Sequence, residues 1–200
     1  ISNAKLTYED GNNIYKEKFN NIIKKQINHL INEIERSKWI DDKMIGCAAI
    51  ILAGLSYNDK HNYLNFGLNL VKKITKFSFD NNGFPKSRNI RQLNFYLKYF
   101  VLIREWLKES QNEIPEYIDE SIYYLGQAYS FIWQNNKRDI LFNGNHETNN
   151  IEFDSYLQRL GYKFKNQTNE LGGYAILSNK KISLIMDIGS SPDKKFSSNY

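Results

Sequence analysis

The chain has 200 residues, 41% hydrophobic and 14% aromatic, with 27 Lys and Arg against 22 Asp and Glu. That is ample for a packed core, in one good-sized domain or one domain and part of another. The net charge of +5 is scattered along helices, and no zinc-finger, helix-turn-helix or RNA-binding signature accompanies it, so nucleic acid is not an expected partner. No apolar run nears the roughly 18–20 residues of a membrane span; the longest, Ala48 to Leu55, suits a buried helix. A single cysteine, Cys47, excludes an internal disulfide and reads as a small core residue. The chain opens on Ile1 and stops at Tyr200 just after a strand-like run, which reads as a piece of a longer protein whose leader is out of view.

Residues 1–11 read as a lead-in loop. From about Asn12 to Ser37, Ile14, Phe19, Ile22, Ile23, Ile27, Leu30, Ile31 and Ile34 recur at helical spacing and predict a long amphipathic helix. Asp41 or Asp42 is the expected N-cap of a second helix, Met44 to Tyr57, whose Gly46, Ala48, Ala49, Ala53 and Gly54 imply close packing as an inner helix. Asn58-Asp59 starts a third helix, with Tyr63, Phe66, Leu70, Val71, Ile74 and Phe77 as its stripe. The fourth runs from Asn89 to Glu109 on Leu93, Tyr96, Leu97, Phe100, Val101 and Arg104. Beyond Pro115 a fifth spans Tyr117 to Trp133, on Ile118, Ile122, Leu125, Ala128, Tyr129 and Ile132. A turn at 135–139 and a short apolar run ending in Asn143-Gly144-Asn145-His146 precede a last helix, Asn150 to Leu160, closed by Gly161 at the C′ position. Residues 172–187 then alternate as a β-hairpin about Asn179-Lys180. Helices followed by strands predict a mainly α domain over 1–165 and the start of an antiparallel β domain over 166–200. The antiparallel helices suit a bundle or an α/α toroid, between which periodicity does not choose.

The helix grammar is organised around residues 82–93. Asn82-Gly83 followed by Pro85 is a strong break, and Ser87 and Asn89 are both good N-caps. Arg88, Arg91 and several amides stand at a helix N-terminus, which attracts anions. A capped start with solvated or carbonyl-bonding arginines is the alternative. Asn143 supplies either left-handed turn geometry or a cleft-facing amide. Tyr123, Tyr124, Tyr129, Trp106 and Trp133 are core residues or an aromatic sugar-stacking wall. His29 reads as a packed or boundary residue and His61 as a first-turn residue, and no pair among His29, His61, His146 and Cys47 has metal-ligand spacing, so no metal is expected. No phosphate loop, dinucleotide fingerprint or nucleophile elbow is present.

Several short segments together resemble the heparinase II/III-like family of polysaccharide lyase-type proteins. They are Ala53-Gly54-Leu55, Asn82-Gly83 with Ser87-Arg88-Asn89, Leu102-Ile103-Arg104, Leu141-Phe142-Asn143-Gly144, Gly172-Gly173-Tyr174 and Met186-Asp187-Ile188-Gly189, in the family's order from about residue 45 onward. The resemblance implies the later helices of an incomplete α/α toroid followed by the first strands of a β-sandwich domain of the same chain, most of which lies beyond it. It further implies an acidic polysaccharide as partner, a periplasmic or extracellular setting and no cofactor. The reaction would be β-elimination on a uronic-acid polymer. A polar or cationic group neutralises the sugar carboxylate, a base takes the C5 proton and an acid protonates the departing oxygen.

Carried onto this chain, the resemblance makes Arg88, Asn89, Gln92 and Asn143 substrate-binding residues. Tyr96, one helical turn beyond Gln92, or His146, an imidazole that titrates near neutrality, would move the protons, the alternatives being a core tyrosine and an exposed loop histidine. The chain departs from the lyase pattern at several points. Gln92 stands where the catalytic Tyr falls, Leu93 replaces a common His, and Asp41-Asp42-Lys43-Met44 lacks the expected Asn-His pair. The β-domain His would fall near or beyond Ser197-Ser198-Asn199-Tyr200. These departures leave room for a non-catalytic glycan-binding or envelope protein on the same scaffold, or for a plain helical interaction domain.

Overall fold

A computed structural model describes residues 11–57, 62–134, 140, 142–143, 150–166, 168–179 and 182–199. Among the described residues six α-helices precede a small antiparallel sheet, so the chain is mainly α with strands toward its C-terminal end. The helices are α1 (Asn13–Ile34), α2 (Ile40–Ser56), α3 (Tyr63–Ser78), α4 (Ile90–Glu109), α5 (Glu116–Tyr129) and α6 (Asn150–Arg159). A π-helical turn, Ser130–Gln134, extends α5. The strands are β1 (Glu170–Leu171), β2 (Tyr174–Ser178) and β3 (Ser183–Asp187), and a 3-10 turn, Lys194–Asn199, follows. No helix among the described residues is long and apolar enough to cross a membrane.

Two compact units divide within α3, Ile1–Leu70 and Val71–Tyr200. In the first, close approach is made possible by glycines. A Cβ at Gly46 of α2 would lie 2.6 Å from Ile34 Cδ1 of α1, one at Gly67 of α3 would lie 2.6 Å from Ile51, and one at Gly54 would meet the Leu64 backbone nitrogen at 2.5 Å. Gly46, Ala48, Ala53 and Gly54 of α2 are buried with Met44, Cys47, Ile50 and Ile51, whereas Ile45, Ala49 and Leu52 are exposed, so the predicted inner helix leaves one face open in the described residues. Burial pushes the Cys47 thiol up to about 12, so it stays protonated and inert. Helix α2 begins at Ile40 with Trp39 as its N-cap and no side-chain cap bond, so Asp41 and Asp42 lie in the first turn, where they complement the helix dipole. Of the predicted α1 stripe Ile34 is buried, Phe19, Ile23, Ile27, Leu30 and Ile31 are half-buried, and Ile14 and Ile22 are exposed; Asn20 and Asn28 on the same helix accept the Tyr57 and Tyr63 hydroxyls. His29 is exposed rather than packed.

In the second unit α4 and α5 pack side by side. Leu93, Tyr96, Leu97, Phe100 and Val101 of α4 are fully buried, and the whole predicted stripe of α5 from Ile118 to Ile132 is buried with them. Phe77, counted in the α3 stripe, is instead largely exposed, its ring 5.2 Å from that of Phe196. Helix α6 ends in a Schellman arrangement: Gly161, at φ +82, donates to Gln158, and Tyr162 donates to Leu157. The chain then crosses α5, where a Cβ at Gly126 would strike the Phe164 ring at 2.1 Å. The Tyr162 hydroxyl donates to Glu105 at 2.7 Å, and Arg104 joins Asp119 of α5 at 2.6 Å, so three segments are tied together.

The predicted hairpin is present with the register Tyr174↔Asp187 to Ser178↔Ser183. A third strand, β1, pairs Leu171 with Tyr174 around the two-residue turn Gly172-Gly173, at φ +59 and +80. Only glycine adopts two successive positive φ values cheaply, which is why Gly-Gly carries this turn. Tyr174 and Ile176 face inward and are buried, while Leu177 and Leu184 face outward and are exposed. The strands lie in the same compact unit as α4–α6, and Phe84 and Arg88 pack across position 165 against Gly172, Tyr174, Asp187 and Gly189.

Two glycines separate conformational from steric demand. Gly161 has nothing within 4 Å of a Cβ, so Gly161→Ala should cost only the left-handed penalty, about 1–2 kcal/mol. Gly83, at φ +73, would bring a Cβ to 2.4 Å from Tyr124 Cβ, so Gly83→Ala should add roughly 1–3 kcal/mol of overpacking to that penalty. Thermal unfolding should show the second variant melting several degrees below the first.

Candidate functional site

The turn before α4 is built on one carboxylate. Asp80 Oδ1 accepts the Asn82 and Phe84 N–H groups at 2.9 and 2.8 Å, the Asp80 N–H returns to the Phe84 carbonyl, and Phe79 bridges Pro85. The chain therefore arrives at α4 in a fixed direction. Asn89 is the N-cap, its side chain accepting the Arg91 N–H at 2.9 Å. The Ser87 hydroxyl accepts the Asn89 N–H at 3.2 Å and donates to Gln92 Oε1. Asn89 and Gln92 are both buried: the first caps the helix, and the second accepts the Ser87 hydroxyl. Arg91 is exposed, as a solvated arginine would be.

Arg88 turns the other way. Its φ is +60, uncommon for a residue with a side chain, and its N–H donates to the Pro85 carbonyl at 2.8 Å. Only 12% of its side chain is exposed. Nη1 donates to the Ser190 carbonyl at 2.8 Å, and Nη2 to the Gly173 carbonyl at 3.0 Å and to Asp187 Oδ1. The guanidinium lies over the Tyr174 ring, 5.1 Å from its centroid. A Cβ at Gly189 would come within 2.7 Å of Arg88 Cζ, and one at Gly173 within 3.0 Å of Nη2, so glycines leave the slot open. Nε is buried without a hydrogen-bond partner.

Asn143 closes the cluster from a third segment. Its φ of +51 is the left-handed turn geometry, and its amide nitrogen donates to the Tyr174 hydroxyl and to Asp187 Oδ2 at 3.1 Å. The left-handed turn geometry is therefore present, and the amide faces a tyrosine and a carboxylate of the chain itself. The Tyr174 hydroxyl donates in turn to the Arg88 carbonyl at 2.8 Å, and Phe142 stacks on the Tyr174 ring at 6.2 Å and 8°. Burial pushes the Asp187 carboxyl up, but the hydrogen bonds from Arg88 and Asn143 outweigh it and hold the group below the usual carboxylate range.

Of the sequence-predicted residues, Arg88 and Asn143 meet, and Asn89 and Gln92 flank them in the cap. Tyr96 does not join them: it is fully buried, edge-on to Phe79 at 4.9 Å and to Phe95 at 5.3 Å. A phenol sealed among core rings does not reach a polymer, so Tyr96 is a packing residue in this structure. His61 and His146 lie outside the described residues. Tyr129 and Trp133 belong to the core, whereas Tyr123 is exposed and Tyr124 half-buried, so the aromatic wall is divided. Among the described residues no three His, Cys, Asp or Glu side chains gather as a metal site would. The partners that complete the cluster, Tyr174, Asp187, Gly173 and Gly189, were visible in the sequence only as short motif pieces without a role. Chemically the cluster is a clamp: the Arg88 charge is matched by Asp187, and both Nη groups and the Asn143 amide point at protein oxygens, while Nε does not.

Compared with protein-family models, with curated proteins and with solved structures, the chain finds no match.

Lysine cannot reproduce the two-pronged guanidinium contacts, so Arg88→Lys should destabilise the protein by about 1.5–3 kcal/mol in denaturant unfolding. Asp187 has a lowered folded-state pKa, so its contribution is present above the unfolded carboxylate value, about 3.9, and is lost as pH falls through the folded value. Asp187→Asn should therefore be less stable than wild type near neutrality, and the gap should close in acid.

Proposed function

We propose that this chain is part of a heparinase II/III-like protein that acts on a uronic-acid-containing polysaccharide by β-elimination. One observation carries the reading. Ser87-Arg88-Asn89, Phe142-Asn143, Gly173-Tyr174 and Asp187-Ile188-Gly189, motif pieces spread over about a hundred positions, contribute to one hydrogen-bonded cluster. Pieces that resembled a family only by order are thereby coupled in space, which chance matches would not require.

In the proposed reaction a base removes the C5 proton of the uronate, the electron pair forms the C4–C5 double bond, and the C4–O bond breaks as the leaving oxygen takes a proton. His146, three residues beyond Asn143, is the remaining candidate for moving a proton, since an imidazole titrates near neutrality. Arg88 and Asn143 act in this reading by fixing the segments around the site. The outward Leu177 and Leu184 form the face that further β-sandwich strands of the same protein would cover. Such a protein would work in the periplasm or outside the cell.

A second reading, glycan binding without chemistry, is favoured by the burial of Tyr96 and by the engagement of Arg88 and Asn143 with Asp187. One assay separates the two. The protein is incubated with heparan, chondroitin, hyaluronan and alginate while absorbance of unsaturated uronate is followed in the far ultraviolet. Elimination predicts a rise with one of them, lowered roughly 100-fold or more in His146→Ala and little changed in Tyr96→Phe. Binding without any rise supports the second reading, and neither binding nor a rise contradicts both.

A further inference from the structure

A groove of about 510 Å³ lies beside the same turn, between the C-terminal half of α3, residues 79–86 and the first turns of α5. Its walls include Lys72, Lys76, Lys86, Tyr117, Tyr124 and Glu120. The volume falls in the roughly 300–1,000 Å³ range of ligand clefts. None of these side chains belongs to the Arg88 cluster, and none stood out as a candidate cation in the sequence, because the lysines come from two segments ten or more positions apart.

Two of the lysines are held in place. Lys72 Nζ stands over the Tyr117 ring at 5.6 Å, and Lys86 Nζ donates to the Lys76 carbonyl at 3.1 Å, leaving two of its three N–H groups for other partners. Lys76 lies in the last turn of α3, where the helix dipole favours a cation. Tyr117 and Tyr124 are both half-buried. Tyr124 is also the residue against which Gly83 packs, so the groove wall and the α4 entry turn are one construction.

We infer that this groove is a binding subsite for an acidic glycan, with Lys72, Lys76 and Lys86 meeting carboxylate or sulfate groups and Tyr117 and Tyr124 supporting sugar rings. The inference rests on the functional reading above and adds the place where the polymer lies. Lysine ammonium groups attract anions as point charges, and a tyrosine offers an apolar face to pyranose C–H groups beside a hydroxyl for hydrogen bonding. The lining also contains the hydroxyls of Thr75 and Ser121 and the carboxylate of Glu120. That mixture suits the many hydroxyls of a sugar. Two carboxylates, Asp80 and Glu120, among three lysines suit a ligand that carries hydroxyl donors beside its charges, as a uronate polymer does, better than one in which every unit presents a phosphate.

Titration calorimetry with size-defined hexasaccharides of heparin and of alginate, a neutral cello-oligosaccharide and a single-stranded oligonucleotide tests this. An acidic hexasaccharide should bind and the neutral one should not, with affinity falling as salt rises. Lys72→Gln combined with Lys76→Gln and Lys86→Gln should weaken binding at least tenfold and flatten the salt dependence. Tyr117→Ala should weaken it several-fold with the salt dependence retained, and thermal melts confirm that each variant folds. Acidic-glycan binding untouched by these variants overturns the groove and leaves the functional reading standing. No glycan binding at all overturns both, and tighter binding of the oligonucleotide at the same lysines overturns the choice of ligand.

Discussion

The Arg88 guanidinium is the constraint on which the second unit depends. It stands in a slot between Tyr174 and two glycines, reaches two backbone carbonyls and a carboxylate, and draws together segments that the chain separates by about a hundred residues. An arginine so enclosed needs its charge matched, because a buried charge without partners is costly; both Nη groups are directed at oxygens, and Nε is left without a partner. The left-handed backbone at Arg88 is the local cost of aiming it, tolerated because its N–H, its carbonyl and its side chain are all tied elsewhere.

That clamp explains how a short hairpin persists on a helical body. A three-stranded sheet with strands of two, five and five residues has little ability to stand alone. Its inward residues, Tyr174 and Ile176, reach the core beside Phe84, and Asp187 fastens the far end of β3. The turn at 79–86 therefore has two outputs. It sends Arg88 toward the strands, and it presents Lys86 to the groove beside Tyr124.

Much of the fold was legible because it rests on periodicity. The stripes of α4 and α5, the cap at Asn89 and the C′ glycine at 161 are local signals, and each is realised. What escaped is long-range. Sequence spacing places Tyr96 one turn from Gln92, but only packing reveals that this side of the helix is sealed by Phe79. The functional reading of Arg88 followed from a helix N-terminus that attracts anions; the anion that answers it is Asp187, ninety-nine positions away. Asn143 takes the left-handed geometry that its residue type suggests, and the partners of its amide, Tyr174 and Asp187, lie 31 and 44 positions away. The lysine groove was hidden for the same reason: no window of sequence contains Lys72 and Lys86 together with Tyr117.

The most direct test of the clamp is a double-mutant cycle between Arg88 and Asp187, read by equilibrium unfolding of wild type, Arg88→Ala, Asp187→Ala and the double variant. If the two side chains act as one unit, the double variant should lose less stability than the sum of the single losses, with a coupling of about 1–3 kcal/mol. Losses that add to within about 0.5 kcal/mol would mean that the two groups do not depend on each other, and would contradict the assignment of this pair as the joint between the α4 entry and the strands.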